Sequence, residues 1–287
     1  MPKKLLMKLN VLSLTLNVTD WLANSRRPRI LHVFDHACNL INEHREVLSI
    51  VTPPIGNGPF NLVIKDDICF SENLNIESTV SIHDNQLTLG NLIVNTVEAK
   101  LWPPCPDWEM LHAKRDHILN QLLLLPISAK DPIGITCQPS LSTHLLSTFS
   151  TSIAFADISS SLSAAKQLSG LGGGLTPAGD DFIMGAIYAV WIIHPPEIAR
   201  VLAEEISKAA TPLTTSLSAE WLRSAGRGEA GILWHEFFEA LLTPDSFQIQ
   251  SGVNKILAVG ATSGADALAG FIGVFSCLGD LANTGIH

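Results

Sequence analysis

The sequence is poor in charge, and poorest in positive charge. Only 16% of its 287 residues are charged, and 18 Lys and Arg side chains stand against 27 Asp and Glu, a formal net charge of −9. Such a chain repels a polyanion, which argues against nucleic-acid binding as its main activity. The excess of acid is concentrated late in the chain, since residues 1–130 carry a net −1 and residues 131–287 a net −8.

Long apolar runs and clustered cysteines are also missing. The longest apolar run covers 12 residues, 182–193, whereas a membrane-spanning helix needs roughly 18–20. The N-terminal segment has a basic start but alternates afterwards, unlike the apolar centre of a signal peptide. No C-x-x-C pair is present among the five cysteines, so neither a zinc site nor a disulfide framework is indicated. They are Cys38, Cys69, Cys105, Cys137 and Cys277. We expect a cytoplasmic protein with reduced thiols and no membrane partner.

Short runs rich in Val and Ile, separated by turn residues, fill the region from about 28 to 102 and are typical of strands. Strands are predicted at 47–52, 60–65, 79–82, 86–89 and 91–95, with a hairpin turn at 83–85. Three prolines within 102–108 end this pattern and indicate a linker.

After the linker, apolar residues recur at helical spacing. Helices are predicted at about 108–125, 140–150, 158–169, 178–193, 196–209, 214–225, 230–242, 249–258 and 264–279. The fold class is therefore α+β, with a β-rich domain at 1–103 and a mostly α-helical domain at 104–287. Segments 178–193 and 264–279 are apolar on nearly all sides, which places them at the centre of the bundle.

The most unusual segment is Ser169-Gly-Leu-Gly-Gly-Gly-Leu-Thr-Pro-Ala-Gly-Asp-Asp181. Its glycines allow backbone conformations that other residues rarely adopt. Thr176 is predicted to cap a helix whose first residue is Pro177. Backbone N–H groups and the positive end of the helix dipole would then face the loop, where an anion can bind. The segment lacks the Gly-Lys-Ser/Thr ending of a P-loop, and the chain has no G-x-S-x-G nucleophile motif.

A second segment, 260–270, repeats this pattern: a glycine, an aspartate two residues later and a glycine four residues after that. The matching residues are Gly179, Asp181 and Gly185 in the first copy and Gly264, Asp266 and Gly270 in the second. Because glycine permits close approach of helices, we expect the two helices to lie side by side, with the two aspartates converging near paired N-termini. This arrangement predicts a polar pocket inside an apolar bundle.

Three roles are open for Asp180, Asp181 and Asp266. They could hold Mg²⁺ that bridges to phosphate oxygens, with Asp180 and Asp181 as ligands, accept hydrogen bonds from an amide or amine, or cap the helices. The hydroxyl residues at 214–216 stand at a predicted helix start, which favours a role as helix caps over a role as nucleophiles. Arg227, between two glycines, is either a partner for a carboxylate or phosphate or a solvated loop side chain.

Four strings carry a family resemblance. They are Gly172-Gly-Gly-Leu-Thr-Pro-Ala-Gly-Asp-Asp181, Thr262-Ser-Gly-Ala-Asp266, Thr214-Thr-Ser216 and Gly58-Pro-Phe-Asn-Leu-Val-Ile64. Together they resemble a bacterial family, long of unknown function, that includes the small third subunit of oxamate carbamoyltransferase, an enzyme of anaerobic allantoin (purine) breakdown. The resemblance implies a subunit of a multisubunit transferase, with two larger partner subunits and a small anionic substrate. That enzyme exchanges oxalurate and phosphate with oxamate and carbamoyl phosphate.

On this resemblance we expect the three aspartates to act as catalytic residues that accept amide N–H groups, and Arg227 to hold the carboxylate of oxamate. Backbone N–H groups would bind phosphate and polarise the carbamoyl carbonyl. The expected ligand-binding residues are Gly172, Gly173, Gly174, Thr176, Gly179, Thr215, Ser216, Arg227, Thr262, Ser263 and Gly264. The sequence indicates no specific cofactor, and it leaves Mg²⁺ open. Two alternatives remain: a noncatalytic subunit that binds a small anionic effector, and a stand-alone Mg²⁺-dependent hydrolase.

Overall fold

The computed structural model describes residues 6–83, 86–124 and 139–284. The protein is α+β, as predicted, and it folds as two compact units, Met1–Pro104 and Cys105–His287. No helix within the described residues is long and apolar enough to cross a membrane. The four described cysteines are free thiols, and Cys137 lies outside the described residues.

The first unit is a mixed sheet with two short helices. Its elements are β1 (Met7–Leu14), α1 (Leu16–Asn24), β2 (Arg29–Val33), β3 (Ala37–Ile41), β4 (Val47–Val51), β5 (Asn61–Ile64), α2 (Phe70–Asn73), β6 (Val80–His83), β7 (Gln86–Leu89), β8 (Leu92–Asn95) and β9 (Lys100–Leu101). The strands lie in the order β2-β3-β4-β5-β1-β8-β7-β6, and β9 pairs with β1. β1 runs antiparallel to β5 and parallel to β8, so it joins the two halves of the sheet.

All five predicted strands are confirmed as β4 to β8. Of the predicted hairpin turn, positions 84 and 85 lie outside the described residues. Helix α1 was not predicted, because it is short and lies beside alternating strand sequence. Thr15 caps it by accepting a hydrogen bond from Val18 N at 3.3 Å, and it buries Val18 and Trp21 against the sheet.

The second unit is helical. Its elements are α3 (Trp108–Ala113), α4 (Arg115–Leu124), α5 (Pro139–Ala154), α6 (Ile158–Leu168), α7 (Ala178–Ile193), α8 (Pro196–Ala210), a 3₁₀ turn (Thr211–Leu213), α9 (Ser216–Gly226), α10 (Ile232–Leu241), α11 (Ser246–Leu257) and α12 (Ser263–Thr284). The predicted helix at 108–125 is wrong in one respect: it breaks at Lys114 into α3 and α4.

Helices α7 and α12 form the centre of this unit, as predicted. Nearly every described side chain of α7 is buried, and α12 contributes an apolar series to the same core, including Phe271 and Phe275. Since an all-apolar helix must be surrounded on every side, the other helices pack around this pair. The central position of the two helices sets the site described next.

Candidate functional site

Helices α7 and α12 touch backbone to backbone. A Cβ added at Gly185 would lie 1.8 Å from the carbonyl oxygen of Ala267, and one added at Gly270 would lie 2.0 Å from that of Phe182. Only glycine permits this approach. The contact is reciprocal, because each glycine faces the residue three positions before the other. The predicted side-by-side packing of the two glycine-led helices is therefore confirmed.

The two helices also begin together. Thr176 Oγ1, just before α7, lies 2.9 Å from Ser263 Oγ, the first residue of α12. Asp181 lies in the first turn of α7 and Asp266 in the first turn of α12, and their side chains are 5% and 0% exposed. The negative charge of Asp266 raises the pKa of Asp181, so the two carboxyls interact electrostatically. Two positive helix ends favour negative charge at this point, whereas burial opposes it.

Each helix start is fixed by a glycine that packs on the preceding helix. A Cβ at Gly179 would lie 2.0 Å from the carbonyl oxygen of Leu168 at the end of α6, and one at Gly264 would lie 1.8 Å from that of Ile256 near the end of α11. The N–H groups of both glycines donate to backbone carbonyls, those of Leu171 and Val259. The structure thus gives Gly179 and Gly264 packing roles and directs their N–H groups into the protein.

The Asp181 carboxyl has a strongly raised pKa. Burial first of all, and also the nearby carboxylates of Asp266 and Asp180, raise its pKa to about 8, although contacts with the hydroxyls of Ser263 and Thr176 lower it. Its Oδ2 atom is buried and has no hydrogen-bond partner among the described residues. At neutral pH the Asp181 carboxyl is therefore mostly protonated, and one of its oxygens is buried without a partner in the described part of the chain.

Asp180 faces a different set of neighbours. Its carboxylate accepts hydrogen bonds from Ser169 Oγ at 3.1 Å, from Gly170 N at 3.0 Å and from the hydroxyls of Thr214 and Ser218. Burial still raises its pKa above the ordinary value. With four donors from the protein, Asp180 ties the glycine loop to the start of α9.

The glycine loop, residues 170–176, presents backbone to the outside. Gly170, Gly172 and Gly174 have φ values of 74°, 112° and 92°, which L side chains rarely adopt. A Cβ at Gly173 or Gly174 would meet nothing within 4 Å. The N–H groups of Gly172, Gly173 and Gly174 have no acceptor among the described residues. The loop can therefore offer them to an anion above the start of α7.

The predicted cap of α7 is wrong by one position. Pro177, not Thr176, is the N-cap, and its carbonyl accepts from the N–H groups of Asp180 and Asp181. The proline ring fixes φ at −55°, while ψ is extended at 141°, so the helix starts at Ala178. The Thr176 hydroxyl, one residue outside the helix, bonds Ser263 instead and joins the two helix starts.

The remaining hydroxyls border this arrangement. Thr215 is the N-cap of α9, accepting from Ser218 N at 3.1 Å, and its own hydroxyl donates to Leu175 O at 2.6 Å. The expectation that this cluster caps a helix is confirmed for Thr215. Ser216 is the first residue of α9. Thr262 stands just before α12, and its carbonyl accepts from Asp266 N at 2.9 Å.

Models of known protein families match parts of both units. The family model described as oxamate carbamoyltransferase subunit AllH matches residues 168–275. The model described as the AllH family N-terminal domain matches residues 10–101. The chain belongs to the AllH family. Every candidate residue from Ser169 to Asp266 lies within the first match. No solved structure matches this AllH-family chain.

Arg227 of this AllH-family chain lies far from the glycine loop. Thr215, at the start of α9, touches the loop, whereas Arg227 follows the end of that helix, about 18 Å further along at 1.5 Å per residue. Its guanidinium donates to Glu229 Oε2 at 2.8 Å and lies 3.9 Å from Glu220 Oε1. Both carboxylates are buried. The expectation that Arg227 joins the aspartates in one site has no support in this geometry.

The described residues do not form a magnesium cage. No group of three or more His, Cys, Asp or Glu residues in the described ranges is arranged to hold a metal ion. Asp180 and Asp181, the two suggested ligands, accept hydrogen bonds from separate sets of donors.

Sequence reasoning missed the parts played by Ser169, Thr214 and Ser218, which serve Asp180. Their spacing along the chain does not indicate that they lie near Asp180, because they come together only when α6 and α9 pack beside α7. The signal for Ser263 was present, since it occupies the first position of the repeated helix start.

Proposed function

We propose that this chain is a subunit of a carbamoyltransferase that interconverts oxamate and carbamoyl phosphate with oxalurate and phosphate, and that the paired helix starts bind the reacting groups. The proposal is supported by the family match across 168–275. The single observation that carries it is the Asp181 and Asp266 pair, buried where two helix N-termini meet beside an open glycine loop.

The chemistry divides between the two halves of this site. The N–H groups of Gly172, Gly173 and Gly174, with the positive end of α7, bind the anionic phosphate or carboxylate. The Asp181 Oδ2 atom and the Asp266 carboxyl accept N–H groups of the amide. A ligand that carries a primary amide next to an anionic group matches both halves, and oxamate and carbamoyl phosphate are of this type.

The reaction needs no covalent enzyme intermediate. The amide nitrogen of oxamate forms a bond to the carbamoyl carbon, the carbon–oxygen bond to phosphate breaks with its electrons staying on phosphate, and the amide nitrogen loses a proton. The departing phosphate can accept this proton, because the Asp181 carboxyl is already mostly protonated at neutral pH. The site further accelerates the reaction by holding the amide nitrogen close to the carbamoyl carbon.

The test is turnover by the assembled enzyme carrying Asp181→Asn or Asp266→Asn. Asn keeps the size of the side chain but replaces an acceptor oxygen by a donor, so we expect carbamoyl transfer to fall at least about 100-fold, the size of effect seen when a preorganised polar contact is lost. Asp157→Asn is the matched control, because Asp157 is an exposed first-turn cap on α6 and Asn caps equally well.

Thermal unfolding and assembly are measured for all three variants. Wild-type turnover by both Asp181→Asn and Asp266→Asn in a fully assembled enzyme would contradict the proposal and assign the chemistry to the other subunits.

A further inference from the structure

Two consecutive threonines act on opposite ends of the glycine loop. At the first end, the Thr214 hydroxyl donates to Asp180 Oδ2, while Oδ1 of the same carboxyl accepts the N–H group of Gly170 at 3.0 Å. At the last end, the Thr215 hydroxyl donates to the carbonyl oxygen of Leu175 at 2.6 Å. The two threonines therefore hold one end of the loop through Asp180 and the other end directly.

The Asp180 carboxyl is engaged inside the protein. Its residue is 2% exposed, Oδ1 accepts hydrogen bonds from Ser169 and Gly170, and Oδ2 accepts one from Thr214. These donors come from the end of α6, from the loop and from the segment before α9. A buried carboxyl with a donor on each oxygen has its hydrogen-bonding needs met by the protein, so its contribution is to connect these three segments.

Backbone contacts restrain the same end of the loop. Gly170 has a φ of 74°, and a Cβ there would lie 2.7 Å from the carbonyl oxygen of Leu213. The carbonyl of Leu171 accepts the N–H group of Gly179 at 2.9 Å. The first two residues of the loop are thereby fixed against the 3₁₀ turn and the start of α7.

The middle of the loop is open by contrast. Residues 171–175 are exposed, and a Cβ at Gly173 or Gly174 would meet nothing within 4 Å. Glycine has more backbone freedom to lose than any other residue, and ordering a loop on binding lowers affinity. Fixing both ends beforehand reduces this loss for an anion that binds the N–H groups of the middle.

We propose that Asp180, Thr214 and Thr215 form a clamp that holds the glycine loop in the shape that binds an anion. They are positioning residues, because they act on the ligand through the loop backbone. The inference rests on the proposed function, in which this loop binds phosphate or a carboxylate, and it adds the residues that prepare the loop for that ligand.

The first experiment follows phosphate binding at the loop itself. Hydrogen–deuterium exchange of residues 170–176 in the assembled enzyme is measured across a titration with inorganic phosphate. In Thr214→Val the loop should exchange faster before phosphate is added, and the phosphate concentration for half protection should rise about tenfold, as expected when a hydrogen bond to a carboxylate is lost. Thr215→Val should raise it about threefold, because its hydrogen bond to Leu175 is exposed to water.

The controls separate the hydroxyls from general effects of substitution. Thr214→Ser and Thr215→Ser keep the donors and should restore the wild-type response. Thr243→Val is the matched control, because the Thr243 hydroxyl also donates to a backbone carbonyl, that of Ala240 at 2.9 Å, but at the end of α10. It should leave the phosphate response unchanged. Exchange of residues 216–226 shows whether Thr215→Val, which also removes the cap of α9, loosens that helix.

The second experiment is steady-state turnover by the assembled enzyme. A loop that is poorly held weakens ground-state and transition-state binding alike, which raises KM and leaves kcat unchanged. Thr214→Val should therefore raise the KM for carbamoyl phosphate about tenfold and change kcat less than about threefold. Asp181→Asn is expected to lower kcat instead.

The outcomes separate this inference from the proposed function. If Thr214→Val and Thr215→Val need no more phosphate than the wild type, the clamp is wrong, even where Asp181→Asn and Asp266→Asn abolish turnover. Equal impairment of Thr214→Val and Thr214→Ser would overturn it too, as would a wild-type loop that phosphate does not protect. If the valine variants weaken phosphate protection while both aspartate variants keep turnover, the clamp stands and the proposed function fails.

Discussion

Replacing Gly270 by Ala should separate the two central helices. The added Cβ would lie 2.0 Å from the carbonyl oxygen of Phe182, and contacts shorter than 3.0 Å are essentially never seen. Because the obstacle is backbone, it cannot rotate away, and α7 and α12 must move apart by about 1 Å in a close-packed core.

The expected cost follows from two opposing terms. Overpacking of this kind costs about 3 kcal/mol when nothing can give way, while Gly to Ala in a helix gains about 1 kcal/mol. The free energy of unfolding should therefore fall by about 2 kcal/mol. For a unit of this size, such a loss lowers Tm by about 4–8 °C.

Gly273→Ala is the control, one turn further along α12. Its Cβ would lie 3.1 Å from Ser150 Oγ, a hydroxyl that can rotate, and its next neighbour is 3.8 Å away. Urea unfolding followed by circular dichroism compares the two variants. If Gly270→Ala is no more destabilising than Gly273→Ala, the close helix contact that places the aspartates together is refuted.

Three further predictions concern charge and hydrogen bonding. Between about pH 4 and pH 8 the unfolded chain loses the Asp181 proton that the folded chain keeps, so stability should fall as pH rises through this window; pH-dependent unfolding of Asp181→Asn should lack that slope, and an unchanged slope would contradict the assignment. Thr214→Val removes a donor from buried Asp180 and should cost about 1–3 kcal/mol of unfolding free energy, with Thr214→Ser as the rescuing variant. Arg227→Ala leaves Glu229 and Glu220 without this half-exposed partner and should cost about 1–3 kcal/mol, whereas exposed Arg200→Ala should cost less than about 0.5 kcal/mol; equal unfolding midpoints would refute the role given to Arg227.

Much of the fold follows from local patterns in the sequence. Val- and Ile-rich runs between turn residues predict β4 to β8 because burial of alternate or continuous apolar positions is a local property. The end of α7 was predicted to the residue, since His194-Pro-Pro follows it, whereas its start was predicted to within one residue, because Pro177 is the N-cap and not the first helical residue. Helix α1 was not predicted, because its nine residues, which follow a strand directly, are too few to show a clear helical periodicity of apolar residues.

The site was predictable only in part. The repeated glycines predict the contact of α7 with α12 and the convergence of Asp181 and Asp266, because the same residue types recur at the same spacing. The separate surroundings of Asp180 depend on how α6, α8 and α9 pack, and adjacent positions in a sequence do not reveal that neighbouring carboxyls face different partners. The remoteness of Arg227 depends on the direction of α9, which spacing does not encode.

The central claim is that residues 172–181 and 260–266 together enclose one small anionic amide. Hydrogen–deuterium exchange of the assembled enzyme, with and without oxamate and phosphate, tests it at the level of single segments. We predict that hydrogen–deuterium exchange of the backbone amides slows in both segments when the ligands are added. Protection confined to other regions, with both segments exchanging as before, would contradict the claim.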